Sequence, residues 1–295
     1  MVGQVKRKRK IKTSQVIIYI VLTIAAAVCL YPMLNVVARS LSSGRAIDIS
    51  PAMIFPKEFN IEAYKYLLDS AVILKSFVLT LIVTVTGVTL AMCLTVTCAY
   101  SISRVHVPGY KVMMWIVIIP MLFGAGLIPT YVVLSELKLL NTIWVMILVG
   151  AFSPMNAILM RNFFWSIPES LEEAARMEGA GELTVLTKII LPLSKPVMAT
   201  IGLFYAVAYW NDYFKGLFYV TDNKLWPLQV LMKSLVLDSN MQGMGAGSID
   251  TAVKVVQTQN IQAACIFFSI VPILCVYPFL QKYFASGMIV GAVKG

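Results

Sequence analysis

Six long apolar runs, separated by polar segments, dominate the chain. They cover 15–37, a stretch within 72–100, 112–134, 142–163, 197–219 and 261–284. About 20 apolar residues are enough for a helix to cross the hydrocarbon core of a bilayer. The pattern therefore predicts an all-α polytopic membrane protein with six transmembrane helices, which places both termini on the same side of the membrane.

Four helix-breaking residues interrupt the third run: Pro120, Gly124, Gly126 and Pro129. Such breaks are tolerated inside a membrane where neighbouring protein or a water-filled cavity satisfies the freed backbone groups. Two interpretations are open: a helix that lines or gates a transport pathway, and an ordinary kinked membrane helix.

Composition excludes a soluble protein. Of the 295 residues, 59% are hydrophobic and only 13% are charged, and the mean hydropathy is +0.82. Soluble chains carry about 25% charged residues, and a soluble fold of this length exposes too much surface to hide such an apolar excess. The five cysteines lie in apolar runs, so we expect small buried side chains rather than disulfides or metal ligands.

Basic residues indicate the orientation. The net charge is +10, and six basic residues fall between Lys6 and Lys12. No element for base recognition accompanies them, so nucleic-acid binding is not predicted. The apolar run that follows is too long for the core of a signal peptide. With six spans, the N-terminal side carries 14 lysines and arginines and the other side eight, which predicts that both termini are cytoplasmic.

Common catalytic motifs are missing from the sequence. It contains no GxxxxGK[ST] phosphate loop, HExxH, GxSxG or GxGxxG, so we expect neither ATP hydrolysis nor other catalysis in this chain.

Ion-coupled transporters keep ionisable groups near mid-membrane, and Asp212 is the nearest candidate here. A conduit powered by a partner fits better. An ion-coupled secondary transporter and a membrane-embedded enzyme or assembly subunit are the alternatives, and transport by the purified protein under an ion gradient would distinguish the transporter.

The polar segment 164–196, between the fourth and fifth runs, has helix-boundary signals. Ser166 is a candidate N-cap, and acidic residues follow it where the first turn of a helix favours negative charge. Gly179 suits the position just after a helix C-terminus. We predict a short surface helix that ends there, followed by a second helical stretch over 182–190 that stops before Pro192.

This segment also carries a family resemblance. Glu173-Ala174-Ala175, Gly179, Ile189 and Leu191-Pro192 stand at the spacing EAA-x3-G-x9-I-x-LP. The segment resembles the EAA loop in permease subunits of binding-protein-dependent ABC importers. Two further stretches, 209–212 and 291–295, resemble the carbohydrate uptake class 1 permeases, the maltose and lipoprotein-linked oligosaccharide permease group.

The resemblance implies a type I ABC importer permease: one transmembrane domain over 1–295 in the bacterial cytoplasmic membrane, with a basic cytoplasmic N-terminus (1–14), a coupling loop (164–196) and a cytoplasmic tail (285–295). The implied partners are a second related permease, a cytoplasmic ATPase dimer that binds ATP and Mg²⁺, an extracytoplasmic solute-binding protein and membrane lipid. No cofactor is expected in this chain. The implied cargo is a carbohydrate, foremost an oligosaccharide, with amino acids or peptides as the alternative.

The resemblance also assigns roles to residues of the loop. The ATPase-coupling residues would be Glu173, Ala174, Ala175, Gly179, Ile189 and Pro192. Glu173 would be the charged contact to the ATPase, and Gly179 would let the chain turn between the two short helices. Ile189 and Pro192 would end the second helix against the membrane core.

A second group of residues suits contact with sugar. Aromatic rings stack on sugars and asparagine amides hydrogen-bond to hydroxyl groups, and such residues are enriched in and near the later runs. The translocation-path candidates are Phe123, Asn156, Tyr205, Tyr209 and Asn211. The alternative for aromatic residues is the interfacial belt near the lipid headgroups, which we favour for Trp210 and Tyr213. The alternative for Asn156 is a hydrogen bond between helices.

Overall fold

The computed structural model describes residues 13–243, 259–276 and 278. Nearly all of the basic N-terminus predicted over 1–14, and all of the tail predicted over 285–295, lie outside the described residues. Helices make up most of the described chain, and a bridge between Ser42 and Phe59 is the one extended pairing within it. The predicted all-α class is therefore confirmed.

Fifteen helices follow one another along the described ranges. They are α1 (Thr13–Ser40), α2 (Gly44–Ile49), α3 (Glu62–Asp69), α4 (Ala71–Ser103), α5 (Tyr110–Leu122), α6 (Leu127–Glu136), α7 (Ile143–Leu148), α8 (Pro154–Trp165), α9 (Glu169–Met177), α10 (Glu182–Val185), α11 (Leu191–Leu193), α12 (Lys195–Trp210), α13 (Phe214–Tyr219), α14 (Leu228–Gly243) and α15 (Gln259–Val276). One π-helical turn, Leu186–Ile190, joins α10 to α11, and a 3₁₀ turn, Asn223–Leu225, precedes α14.

Three of the described helices are long and apolar enough to cross a membrane: α1, α4 and α15. They coincide with the first, second and sixth predicted runs. Two further candidates are bent pairs, α5 with α6 and the segment Glu182–Leu193 with α12, which bend by 117° and 84°. By length and composition, the described residues therefore hold three helices that could cross a membrane, and up to five if each bent pair is one span.

The break predicted within the third run is confirmed, and the angle between the two helices is larger than that of an ordinary helix kink. α5 ends at Leu122 and α6 begins at Leu127. Between them Gly126 takes a φ of +79°, a value that only glycine adopts readily. Because the two helices bend by 117°, the run 112–134 does not pass straight through the membrane as its apolar length predicted.

The fourth run forms two short helices instead of the continuous helix predicted over 142–163. α7 has six residues and α8 has twelve. In the gap, Gly150 has a φ of +90°, and the hydroxyl of Ser153 accepts a hydrogen bond from the backbone N–H of Asn156 at 3.4 Å. A serine N-cap followed by Pro154 in the first turn starts a new helix, and these local signals override the apolar run.

Two compact units make up the chain. One contains α1 to α3, the end of α14 and the first part of α15, and the other contains α4 to α13, the start of α14 and the end of α15. In this second unit α4 packs against α8 and α12. Buried positions on α4 such as Thr80, Val83, Gly87 and Ala91 recur at spacings of three and four, so they form one face. A single permease domain over 1–295 stays a prediction.

Polar groups tie together the first unit. The hydroxyl of Ser42 donates to the carbonyl of Ala38, and the side-chain amide of Asn260 donates to the carbonyl of Ser42, both at 2.6 Å. The guanidinium of Arg39 donates to the side-chain oxygen of Gln259 at 2.9 Å. These bonds fix the end of α1 against the first residues of α15.

Large apolar surfaces remain exposed on the chain. On α1, Ile18 is 55% and Val28 is 67% exposed. The burial predicted for the cysteines is correct for Cys265 but wrong for Cys29 and Cys93, which are exposed, as is Cys275. A helix that is apolar all round needs lipid or another protein around it, so these faces are the ones that a single chain cannot cover.

Candidate functional site

Helix α9 lies in the predicted coupling segment and begins later than expected. It starts at Glu169, after Pro168. Ser166 instead ends α8, because its hydroxyl donates to the backbone carbonyl of Phe163 at 2.7 Å. The N-cap role predicted for Ser166 is therefore wrong. Glu169 and Glu172 occupy the first turn of α9, where the helix dipole stabilises negative charge.

The end of α9 is a Schellman motif built on Gly179. The N–H of Gly179 donates to the carbonyl of Arg176 at 2.9 Å, and the N–H of Ala180 donates to the carbonyl of Ala175 at 3.0 Å. Gly179 has a φ of +85°, so its predicted place just after the helix is confirmed. A Cβ atom at Gly179 would meet nothing within 4 Å, so glycine is required by the backbone conformation and not by crowding.

The outer face of α9 combines charge with exposed apolar groups. Glu173 and Ala174 are exposed and Ala175 is half-buried. Leu171 is 45% exposed and Met177 is 88% exposed. Leu171 and Met177 are therefore each available for burial against another protein. The structure thus makes the predicted contact residues of α9 accessible.

The helical segment after Gly179 continues through Pro192 instead of stopping before it. The π turn Leu186–Ile190 leads directly into α11, which contains Pro192, and the break comes at Ser194. Proline lacks an N–H, and its ring crowds the carbonyl one turn earlier in a helix. The wider π turn accommodates both effects. The predicted stop is corrected accordingly, and Ile189 is half-buried within the π turn.

Sequence reasoning missed the residue that anchors α9. Every residue of α9 is described, and Glu172 is the only buried one, with 1% of its surface exposed. Its Oε2 lies 2.6 Å from Nη1 of Arg104, the residue that caps the C-terminus of α4. The ring of Tyr100 lies under this guanidinium, 4.5 Å from ring centroid to Cζ. The spacing of four residues to Arg176 was a local signal for Glu172, but the closest cation, Arg104, is distant in the chain.

A second set of contacts links the later part of the loop to the same end of α4. Nη2 of Arg176 lies 2.8 Å from Glu182 and 3.9 Å from Glu172. The hydroxyl of Tyr100 donates to Glu182 at 2.5 Å. This hydrogen bond, opposed by burial and assisted by the charges of Arg176 and Arg104, lowers the pKa of Glu182. Burial opposes the charge of Arg104, but the hydrogen bond and the charge of Glu172 outweigh it and raise the pKa of Arg104.

A cavity of about 460 Å³ borders this anchor. Its walls include Arg104, Glu172, Trp165, Ile167 and the only histidine of the chain, His106. The space lies between the end of α4, the end of α8 and the start of α9. On this side, therefore, α9 contacts the end of α4 through the charged pair and not through a continuous apolar layer.

Tyr205 and Tyr209 of α12 satisfy the backbone at the break between α7 and α8. The hydroxyl of Tyr209 donates to the carbonyl of Ile147 at 2.7 Å. The hydroxyl of Tyr205 accepts a bond from the N–H of Ser153 at 3.0 Å and shares another with Thr95 at 2.7 Å. Backbone that leaves a helix at membrane depth needs such partners. A path role for these two tyrosines stays a prediction, and both hydroxyls are already engaged in this conformation.

The other path candidates differ in exposure. Phe123 is 75% exposed at the break between α5 and α6, and Asn211 is exposed at the end of α12. Asn156 is only 8% exposed within α8. Trp210 is 5% exposed, and its indole N–H donates to the carbonyl of Ser269 at 2.9 Å. The interfacial position predicted for Trp210 is therefore wrong, because this ring is packed inside the protein.

Asp212, the acid predicted nearest to mid-membrane, is paired within the chain. It forms an ion pair with Lys215 and accepts a bond from the backbone N–H of Lys215 at 3.1 Å. Nζ of Lys215 also lies 4.9 Å from the ring centroid of Tyr209. The two opposite charges compensate each other, so this site is a structural pair at the end of α12.

Apolar helices long enough to cross a membrane, together with a short surface helix ion-paired to the end of one of them, define a polytopic membrane protein. The model of one family, the inner membrane component of binding-protein-dependent transport systems, matches residues 1–290. The chain belongs to this family, so it is a membrane component of a transport system and not an enzyme. The resemblance drawn from the EAA spacing is confirmed.

Individual relatives match over nearly the full length. Protein LplC of Bacillus subtilis is 41% identical, over 91% of this chain and 90% of LplC. The polygalacturonan/rhamnogalacturonan transport system permease protein YtcP of the same organism is 40% identical, over 95% of this chain and 97% of YtcP. The crystal structure of a bacterial ABC transporter involved in the import of the acidic polysaccharide alginate contains a chain 33% identical, with a TM-score of 0.83, and the match covers 94% of this chain and 100% of that one.

Proposed function

We propose that the chain is a permease subunit of an ATP-driven importer that moves a carbohydrate, foremost an oligosaccharide, into the bacterial cytoplasm. The observation that carries this proposal is the full-length likeness to YtcP and to the alginate importer, which are both named for polysaccharides. Fold alone does not define cargo, and the support here comes from agreement between two relatives that each match at 33% identity or more.

The outer face of α9 supports a partner ATPase. Glu173 offers a charged contact, and Leu171 and Met177 offer apolar surface; all three side chains are exposed. In the proposed assembly a cytoplasmic ATPase dimer binds this face and supplies ATP and Mg²⁺, a second related permease encloses the path, and an extracytoplasmic solute-binding protein delivers cargo. Nucleotide drives transport only through its different affinity for two states of the complex, and α9 transmits that difference.

Exposure favours Phe123 and Asn211 for the translocation path. Both lie at helix breaks, where a side chain reaches beyond the packed face of its own helix. An aromatic ring and an amide are suited to the apolar face and the hydroxyl groups of a sugar. Asn156, Tyr205 and Tyr209 remain in the proposed path as its inner wall, reached only if α12 moves away from α4.

Reconstitution tests the cargo and the energy source together. The chain is assembled in liposomes with the second permease, ATPase and binding protein encoded with it, and uptake of labelled galacturonan, alginate and maltodextrin oligomers, amino acids and peptides is measured. We expect uptake of an oligosaccharide that requires hydrolysable ATP. Uptake of peptides or amino acids alone would refute the carbohydrate proposal. Uptake by this chain without the ATPase, under an ion gradient, would refute ATP coupling, and the compensated Asp212–Lys215 pair argues against that outcome.

Orientation is tested with cysteine labelling. We propose that both termini and α9 are cytoplasmic. Lys57, in the loop before α3, and Lys111, at the start of α5, are both exposed and fall on opposite sides in this arrangement. In a background without native cysteines, an impermeant maleimide added to intact cells should label Lys57→Cys and not Lys111→Cys, and the inverse pattern would overturn the orientation.

A further inference from the structure

The attachment of α9 has an unusual chemistry. A helix of nine residues is too short to be stable alone in water, so it needs tertiary contacts. A surface helix normally supplies an apolar face for this purpose. In α9 the buried side chain is a carboxylate, Glu172, while Leu171 and Met177 remain exposed.

The position of Glu172 sets the rotation of α9. Successive residues of an α-helix are about 100° apart, so fixing residue 172 inward turns Glu173 outward. The observed exposures agree: Glu172 is buried, Glu173 and Ala174 are exposed, and Ala175 and Arg176 are half-buried beside the anchor. Because Glu172 and not Glu173 contacts the guanidinium of Arg104, Glu173 is on the exposed side of α9.

The partner of Glu172 connects this rotation to a membrane span. Arg104 caps α4, whose 33 residues make it the longest described helix. The side chain of Arg104 is only 12% exposed, and its guanidinium contacts both the carboxylate of Glu172 and the ring of Tyr100. Tyr100 also donates to Glu182 beyond the turn. The C-terminal end of α4 therefore contacts the loop both before and after Gly179, and a displacement of α9 would act directly on this end of α4.

We propose that Arg104 and Glu172 are positioning residues that orient the docking face of α9 and couple its movement to α4. The inference rests on the proposed ATPase contact and names the two residues through which that contact acts on a span. Oε2 of Glu172 lies 2.6 Å from Nη1 of Arg104, so a rotation of α9 would separate two opposite charges that lie largely out of water, whereas an apolar contact of the same volume tolerates rotation. A buried pair adds little net stability over apolar replacements, but loss of one partner leaves an uncompensated buried charge.

Two readouts separate positioning from stability. Single cysteines at 170, 171 and 173 to 177, in a background without native cysteines, report the exposed face of α9 by maleimide labelling in inverted membrane vesicles. Stimulation of ATP hydrolysis by the binding protein, in proteoliposomes with the complete complex, reports coupling. The variants are Glu172→Gln, Arg104→Lys and the double variant Arg104→Met with Glu172→Met. Lys111→Met, which removes an exposed cation elsewhere, is the control.

The variants have distinct expected results. Glu172→Gln should lower stimulation at least tenfold, and Arg104→Lys should retain most of it because the charge remains. The double methionine variant should reach wild-type abundance, since no buried charge is left unpaired, yet label evenly along α9 and lose stimulation at least fivefold. Lys111→Met should match the wild type.

The outcome that overturns the inference is a double methionine variant with wild-type labelling periodicity and stimulation, because the pair would then be a replaceable packing contact. The underlying ATPase proposal is checked separately with Glu173→Ala. If Glu173→Ala lowers stimulation and the double variant does not, only the inference on Arg104 and Glu172 fails. If neither change has an effect, the docking role of α9 fails as well.

Discussion

Replacing Gly179 by valine tests whether the turn after α9 controls coupling. Gly179 has a φ of +85°, and no heavy atom lies within 4 Å of the position a Cβ would take. The penalty is therefore one of backbone conformation: an L-residue in the left-handed region costs about 1–2 kcal/mol, and a β-branched residue is at the upper end. A change of this size lowers the population of correctly turned loops by a factor of roughly 5 to 30.

The same loop offers a matched control. Gly181 also has open space around its Cβ position, and its φ is −74°, which any residue adopts. Gly181→Val therefore adds the same volume two residues away without the left-handed strain. Gly179→Asn is the rescue variant, because asparagine tolerates this conformation better than other residues with a side chain.

The assay is binding-protein-stimulated ATP hydrolysis by the complete complex, normalised to the amount of this chain in the membrane. Gly179→Val should reach the membrane at normal levels, since the spans lie outside the turn, and should lose most of its stimulation. Gly181→Val and Gly179→Asn should stay within about twofold of the wild type, because each avoids most of a strain worth 1–2 kcal/mol. Equal stimulation in Gly179→Val and Gly181→Val would refute the claim that the turn sets the docking face.

Two further changes probe separate contacts. Glu173→Ala should reduce ATPase association in a pull-down from detergent, more mildly than Gly179→Val, because it removes one exposed charge without bending the backbone; unchanged association would exclude Glu173 from the contact. Gly87→Ala should lower the free energy of unfolding by about 1–3 kcal/mol, because its Cβ would lie 2.6 Å from the buried ring of Tyr209. Gly202→Ala is the control, since its Cβ would meet only a sulfur atom at 4.0 Å, and it should be tolerated. Similar melting temperatures for the two alanine variants would contradict this packing.

Apolar length and the EAA spacing carried most of the sequence prediction. The runs that became α1, α4 and α15 were recognisable because a crossing helix needs little beyond about 20 apolar residues. Gly179 was recognisable because a left-handed residue after a helix is a local requirement. Both signals lie within a short stretch of chain, which is why a single sequence displays them.

The break in the fourth run was readable but overlooked. Ser153 followed by Pro154 is a helix start, and its hydroxyl caps α8 in the structure. No local pattern shows which side chains hydrogen-bond to the backbone at this break, because Tyr205 and Tyr209 lie in a different helix. The same tyrosines looked like sugar contacts, since a hydroxyl that seals a helix break and one that meets cargo have the same composition signal.

Glu172 shows the same limit at the loop. Within α9, Glu172 differs from Glu173 in having Arg176 one turn later, at 3.9 Å, but the closer cation beside the buried carboxylate is the distant Arg104. A pattern for apolar faces also fails here, because the helix exposes Leu171 and Met177 while burying an acid.

A charged anchor solves a problem that an apolar one would create. α9 presents Leu171 and Met177 outward, and an apolar inner face as well would make the helix apolar on two sides, next to a membrane that accepts apolar surface in any orientation. A carboxylate is costly in lipid and is stable when buried only beside a compensating charge. Inside the protein, therefore, the carboxylate of Glu172 is stable beside Arg104 and not against apolar groups. The ion pair adds orientation more than stability, and orientation is what a helix needs if a partner is to push on one face and a span is to move at the other.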